Sequence, residues 1–173
     1  MPGPEESSAQ LSHVDAGGHV RMVDVSEKAE TLREATARAR VRLQPQTLAL
    51  IERNQIAKGN VLEVARIAAI MAAKATPQLI PLCHPLPLTH VGVSFELQRE
   101  QGLILIETSA RTTYKTGVEV EALTAATVAA LTIYDMCKAV DHTITLEQAY
   151  VARKSGGQHG LVEFSPESEA PTP

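Results

Sequence analysis

Between Ala122 and Tyr134 the sequence carries no charged residue. Small and aliphatic side chains fill the run, with Thr scattered through it, and it reads as the middle of a long helix over about 118–139. A helix this apolar has to be deeply packed, so its charges must emerge at its ends or be held in a pocket. They stand at the ends: Glu119 and Glu121 at the start, Asp135 and Lys138 at the finish. The run is too short to cross a bilayer, so no transmembrane span and no membrane partner are expected.

The rest of the chain must supply the covering layers. A length of 173 residues suits one domain, and 44% apolar residues allow a real core. Aromatics are 3% with no Trp, so that core is aliphatic and Ala-rich. The formal charge of −4 and the scarcity of rings for stacking both argue against a nucleic-acid partner. Two cysteines, Cys83 and Cys137, make no disulfide framework and suit a reducing cytoplasm. Met1 to Glu6 is acidic and polar, unlike a secretory leader. Pro, Ser and Glu enrich residues 1–10 and 164–173, which predicts disordered tails around one domain over 11–163.

Met22 to Ser26 predicts a short strand. Residues 31–43 have helical composition, yet Ala35, Ala37, Ala39, Val41 and Leu43 alternate with Thr36, Arg38, Arg40 and Arg42, and that period of two favours a half-buried strand. Residues 46–53 read as helix. A second helix over 60–75 starts at a capping box, Asn60 with Glu63, and is apolar nearly all round, which predicts burial. Strands at 91–98 and 103–113 flank the Gln101-Gly102 turn, and a last strand follows the long helix at about 143–153. From the second strand on, the pattern is βαββαβ with an extra helix in the first crossover. The fold class expected is α+β: a ferredoxin-like sandwich, with helices on one face of a largely antiparallel sheet.

Asp135 and Lys138 lie one helical turn apart. They read either as an ordinary ion pair at a helix end or as an acid–base pair tuned by burial and mutual charge. In Pro81-Leu82-Cys83-His84-Pro85, prolines on both sides fix where Cys83 and His84 point, whether in a rigid loop or a site. A zinc site from Cys83, His84, His90 and Cys137 lacks any supporting spacing, and no metal ligand is assigned. Lys58-Gly59-Asn60 precedes a helix N-terminus, which favours anions. Lys154-Ser155-Gly156-Gly157 can hold a phosphate through charge and backbone amides, though it is no P-loop. Both also read as plain solvated turns. Arg38, Arg40 and Arg42 suit a solvated strand face, whereas Arg33 falls on the opposite one. Together these residues suggest an acid–base enzyme for a phosphorylated compound.

Six segments closely resemble the MoaC family: Met22 to Ser26, Lys58 to Val61, Leu79 to Leu86, Lys115 to Ala126, Ile133 to Val140 and Lys154 to Gly157. They occur in the family's order, and the resemblance covers about residues 11–160. It implies cyclic pyranopterin monophosphate synthase activity in molybdenum-cofactor biosynthesis. In that reaction (8S)-3′,8-cyclo-7,8-dihydroguanosine 5′-triphosphate becomes cyclic pyranopterin monophosphate and diphosphate. It further implies Asp135, Lys138 and Lys58 as catalytic residues, and Leu82, Cys83, His84, Glu119, Val120, Glu121, Lys154 and Arg33 as substrate-binding residues. Val120 stands where the family usually has Met. The implied enzyme needs no resident cofactor, although Mg²⁺ can accompany the triphosphate. The implied assembly is a homohexamer, a trimer of dimers, with sites at a subunit interface. A non-catalytic nucleotide-binding module of the same fold is the alternative.

Overall fold

The computed structural model describes residues 18–157 and 160–165. Strand β1 (Thr31–Arg42) is followed by helices α1 (Pro45–Glu52) and α2 (Val61–Leu79). Strands β2 (His90–Gln98) and β3 (Leu103–Tyr114) form a hairpin, and α3 (Glu119–Cys137), β4 (Thr145–Ser155) and the short β5 (Val162–Glu163) complete the chain. One sheet results, in the order β2-β3-β1-β4-β5, with every neighbouring pair antiparallel. From β1 to β4 this is a βαββαβ unit with the ferredoxin-like strand order, and α1 is the extra helix in its first crossover. Helices α2 and α3 pack together, and α3 lies across β1, β3 and β4.

Period-two alternation wins over helical composition in β1. Ala35, Ala37, Ala39 and Val41 are at most 3% exposed, while Arg38 turns to the open face and pairs with Glu107 at 2.8 Å. Opposite those alanines, Ala122, Ala125, Ala126 and Ala129 of α3 are fully buried. Small side chains on both surfaces let helix and sheet approach closely, so packing density replaces the missing aromatic bulk. The Thr108 hydroxyl donates to the Ala122 carbonyl at 2.7 Å and pins the first turns of α3 to β3.

Strand β4 carries two bulges, skipping Gln148 and Ala152 in its pairing with β1. Gln148 takes up the first with φ of 45°. Bulges bend and twist a strand. Beyond them Lys154 pairs with Ala35, two residues from Arg33.

Three expectations need correction. Met22 to Ser26 is not a strand. Its polar groups are taken by side chains instead: His84 Nε2 donates to the Val23 carbonyl at 2.9 Å, and Lys115 Nζ to the Ser26 carbonyl at 2.6 Å. Helix α2 does not stop at 75 but passes Pro77, and the Ile80 N–H closes its last turn on the Thr76 carbonyl at 2.9 Å. Nor is α2 buried all round. Val64, Ile67 and Met71 form an outward stripe, 40–64% exposed, beside Leu131 and Tyr134 of α3. The tails expected at 1–10 and 164–173 lie outside the described residues, except Phe164 and Ser165; the Phe164 N–H still donates to Ala152.

Candidate active site

The charged residues of α3 belong to two clusters. At its C-terminal end, Asp135 Oδ1 meets Lys138 Nζ at 2.7 Å and Oδ2 meets Lys58 Nζ at 2.9 Å. Lys58 also donates to the Asp135 carbonyl at 2.6 Å. It sits on the α1–α2 connection, where Gly59 adopts φ of 106° and turns the chain into the Asn60 cap of α2. Lys138 and Lys58 hold the Asp135 carboxyl down at about 2, and Asp135 raises Lys138 in return. Hydrogen bonds from the two ammonium groups, not burial, do the tuning: the side chains are 44–54% exposed, so the charges emerge at the helix end rather than in a pocket. Because the folded-state value is depressed, the stability these pairs add is present above the ordinary carboxylate range and lost as pH falls through about 2.

At the N-terminal end, Glu119 Oε1 pairs with Lys154 Nζ at 3.0 Å. Glu121 is 1% exposed. Its Oε1 accepts from the Cys83 thiol at 3.5 Å, and its Oε2 is buried with no partner. Burial raises Glu121. Burial, together with the Glu121 charge, pushes the Cys83 thiol up to about 11, which rules it out as a thiolate nucleophile near neutrality. His84 carries its proton on Nε2 to reach the Val23 carbonyl, because a carbonyl only accepts. Arg33 lies on the covered face of β1, as its parity predicted, and its Nε is buried without a partner. Gly156 and Gly157, both at positive φ, pass directly over Leu32 and Arg33. A Cβ on Gly156 would strike the Leu32 carbonyl, a backbone atom that cannot step aside, so only glycine lets the loop lie there.

A groove crosses this N-terminal end. One part, about 520 Å³, is walled by Val23, Val25, Ile80, Leu82 and Leu86, with Cys83 and His84 beside them. The adjoining part, about 480 Å³, presents Lys28, Arg33 and Lys115 against Glu27 and Glu119, a net positive wall. Lys28, Thr116, Gly117 and Glu119 border both, so an apolar slot runs into a cationic one.

The two clusters stand far apart. Asp135 lies sixteen positions beyond Glu119 along α3, about 24 Å at 1.5 Å per residue. The structure therefore brings Leu82, Cys83, His84, Glu119, Val120, Glu121, Lys154 and Arg33 to one end, and Asp135, Lys138 and Lys58 to the other.

Residues 22–157 match the MoaC family. The chain belongs to the MoaC family. Curated relatives share most of its length. A cyclic pyranopterin monophosphate synthase of Chloroflexus aurantiacus is 55% identical over 155 residues, covering 90% of this chain and 95% of the relative. Proteins of the same name from Thermomicrobium roseum and Bordetella avium are 54% and 53% identical, over 88% and 90% of this chain and 92% and 96% of their own. Among solved structures, a designed protein with a ferredoxin fold is similar at a TM-score of 0.39 and 11% identity, covering 77% of this chain and 96% of the design.

In this MoaC-family chain, Lys28 and Lys115 were missed by sequence reasoning. Lys115 had a usable signal. Lys115-Thr116-Gly117 precedes a helix start just as Lys58-Gly59-Asn60 does. Lys28 had none, since its place depends on the strap before β1.

The raised Glu121 makes a stability prediction. Its neutral form is favoured in the folded chain, so that contribution is complete below the unfolded value and is lost as pH rises through the folded one. The melting temperature of Glu121→Gln relative to wild type is therefore expected to climb between acid and mildly alkaline pH. A difference that stays flat with pH, measured by calorimetry, would show that ionising Glu121 costs nothing.

Proposed function

We propose that this chain is a cyclic pyranopterin monophosphate synthase, a lyase converting (8S)-3′,8-cyclo-7,8-dihydroguanosine 5′-triphosphate to cyclic pyranopterin monophosphate and diphosphate. The observation that carries the reading is the groove at the start of α3, whose apolar slot continues into a cationic one. A purine-derived ring suits the first part and a triphosphate the second. Leu82, Cys83, His84 and Val120 then hold the ring system, with Glu121 buried behind them and fixing the Cys83 thiol. Arg33 and Lys154, with Lys28 and Lys115 nearby, take the phosphates. Glu119 keeps Lys154 aimed until phosphate displaces it. A divalent cation, if one is used, arrives on the triphosphate oxygens.

The chemistry falls to Asp135, Lys58 and Lys138. Opening the purine breaks a carbon–nitrogen bond and closing the pterin forms one, with a proton delivered to the nitrogen that leaves and removed from the nitrogen that attacks. Closing the cyclic phosphate is attack of a sugar hydroxyl oxygen on the α-phosphorus as the bond to diphosphate breaks, the hydroxyl proton leaving with the departing diphosphate. With its carboxyl held at about 2, Asp135 is the anion that keeps both amines charged and aimed. The ammonium groups supply protons and stabilise developing negative charge.

A single chain cannot place both clusters on one small molecule, given about 24 Å between them. The site is completed by a second copy. The exposed stripe of Val64, Ile67, Met71, Leu131 and Tyr134 supplies an apolar surface for that contact. A two-fold axis across α3 sets the Asp135 end of one protomer beside the Glu119 end of its partner. Such dimers joined in threes give the hexamer the resemblance implies, working in the cytoplasm.

Incubation with the cyclic nucleotide triphosphate, followed by mass analysis, tests the reading. Cyclic pyranopterin monophosphate and diphosphate in equal amounts are expected. Tight binding of the triphosphate without turnover would favour the non-catalytic nucleotide-binding module instead.

A further inference from the structure

We infer that Asp141 is a positioning residue, which sets Lys58 against Asp135 by tying the start of α1 to the end of α3. The inference rests on the catalytic role proposed above for those two residues. Asp141 is 1% exposed, yet both carboxylate oxygens are fully engaged. Oδ2 accepts from the Gln44 N–H at 2.8 Å and the Thr47 hydroxyl at 3.1 Å. Oδ1 accepts from the Thr143 N–H at 2.9 Å and the Thr143 hydroxyl at 2.7 Å. A buried carboxylate persists only when its desolvation is offset in this way.

Each bond has a mechanical consequence. Gln44 is the N-cap residue of α1 and its own side chain makes no cap. Asp141 supplies the cap from a distant part of the chain, at the end of the helix that favours negative charge. Its own N–H donates to the Cys137 carbonyl at 3.1 Å, so the same residue closes the last turn of α3 just after Asp135 and Lys138. Leu48 and Ile51 also bury α1 against the core. Apolar contact is non-directional, however, and leaves the helix free to slide by a fraction of its rise.

From α1 to Lys58 the chain is short and stiff. The Gln55 N–H donates to Leu50 at 2.8 Å, the Gly59 N–H donates to Ile56 at 3.0 Å, and Ile56 is buried. A shift of α1 is thus handed on to Lys58, whose amine has to stay within reach of both Asp135 oxygens it contacts. Displacements of about 1 Å at a reacting centre cost up to 10²-fold in rate.

The test is residue-resolved acylation of lysines in the intact protein, alongside steady-state kinetics. Asp141→Asn is expected to speed Lys58 acylation about fivefold, as loss of one hydrogen bond's restraint would, with Lys154 unchanged. It should also lower kcat about tenfold while KM stays within about twofold, because the groove residues lie at the other end of α3. Thr47→Val removes one bond from the clamp and should move both readouts the same way by less; it carries the comparison if Asp141→Asn does not fold. Unchanged Lys58 acylation, a parallel rise at Lys58 and Lys154, or an unchanged kcat would each overturn the inference. Acylation needs no substrate, so absence of turnover in the wild-type protein would count against the synthase reading without touching the geometric result.

Discussion

Asp135→Asn is expected to lower kcat about a thousandfold, within the range by which positioned proton-transfer groups accelerate reactions. The substitution keeps shape and removes charge. Lys138 and Lys58 then lose the carboxylate that holds them 2.7 and 2.9 Å away. The melting temperature should barely move, because these pairs are half exposed and exposed ion pairs add little stability. Since the wild-type carboxyl is held at about 2, it stays ionised through any ordinary assay range. An acid limb in the pH–rate profile therefore belongs to another group. Wild-type turnover in Asp135→Asn would remove this residue from the chemistry.

The second large effect requires two defective proteins. Asp135→Asn damages one end of α3, and a double variant, Arg33→Ala with Lys154→Ala, damages the other. Each alone is expected to be nearly inactive. Oligomers reassembled from equal amounts of both should regain about a quarter of wild-type activity, since random pairing gives one site in four an intact half from each protomer. A site contained in one chain predicts no recovery at all. Activity of the mixture, compared with each parent taken through the same reassembly, decides between them.

How far the sequence exposed this arrangement depended on the range of the interactions involved. Alternation in 31–43 and the Asn60–Glu63 cap are local, and strand β1 and the start of α2 emerged where expected. Helix α3 was also legible, because thirteen consecutive uncharged residues, Ala122 to Tyr134, admit few other environments. Met22 to Ser26 was misread as a strand because its conformation is set by His84 and Lys115, side chains that lie far along the chain. Helix α2 was read as mostly buried, and its exposed stripe was missed for a different reason. Apolar composition does not say whether a face is covered within the chain or left outward, and Ile67 and Met71 point outward. The opposite placement of the two charged clusters was legible as well, because Glu119 and Glu121 open the uncharged run of α3 and Asp135 and Lys138 close it.

Arg66 has a bearing on solubility. Its guanidinium sits 5.3 Å from the centre of the Phe95 ring and donates to the Val93 carbonyl on β2, the outermost full-length strand. An open strand edge is a template on which a second polypeptide can extend the ladder, the first step toward aggregation. A cation stationed on that edge interrupts the row of free acceptors and adds a charge that a docking strand would have to desolvate. The side chain thus acts as a gatekeeper that discourages polymerisation through the sheet.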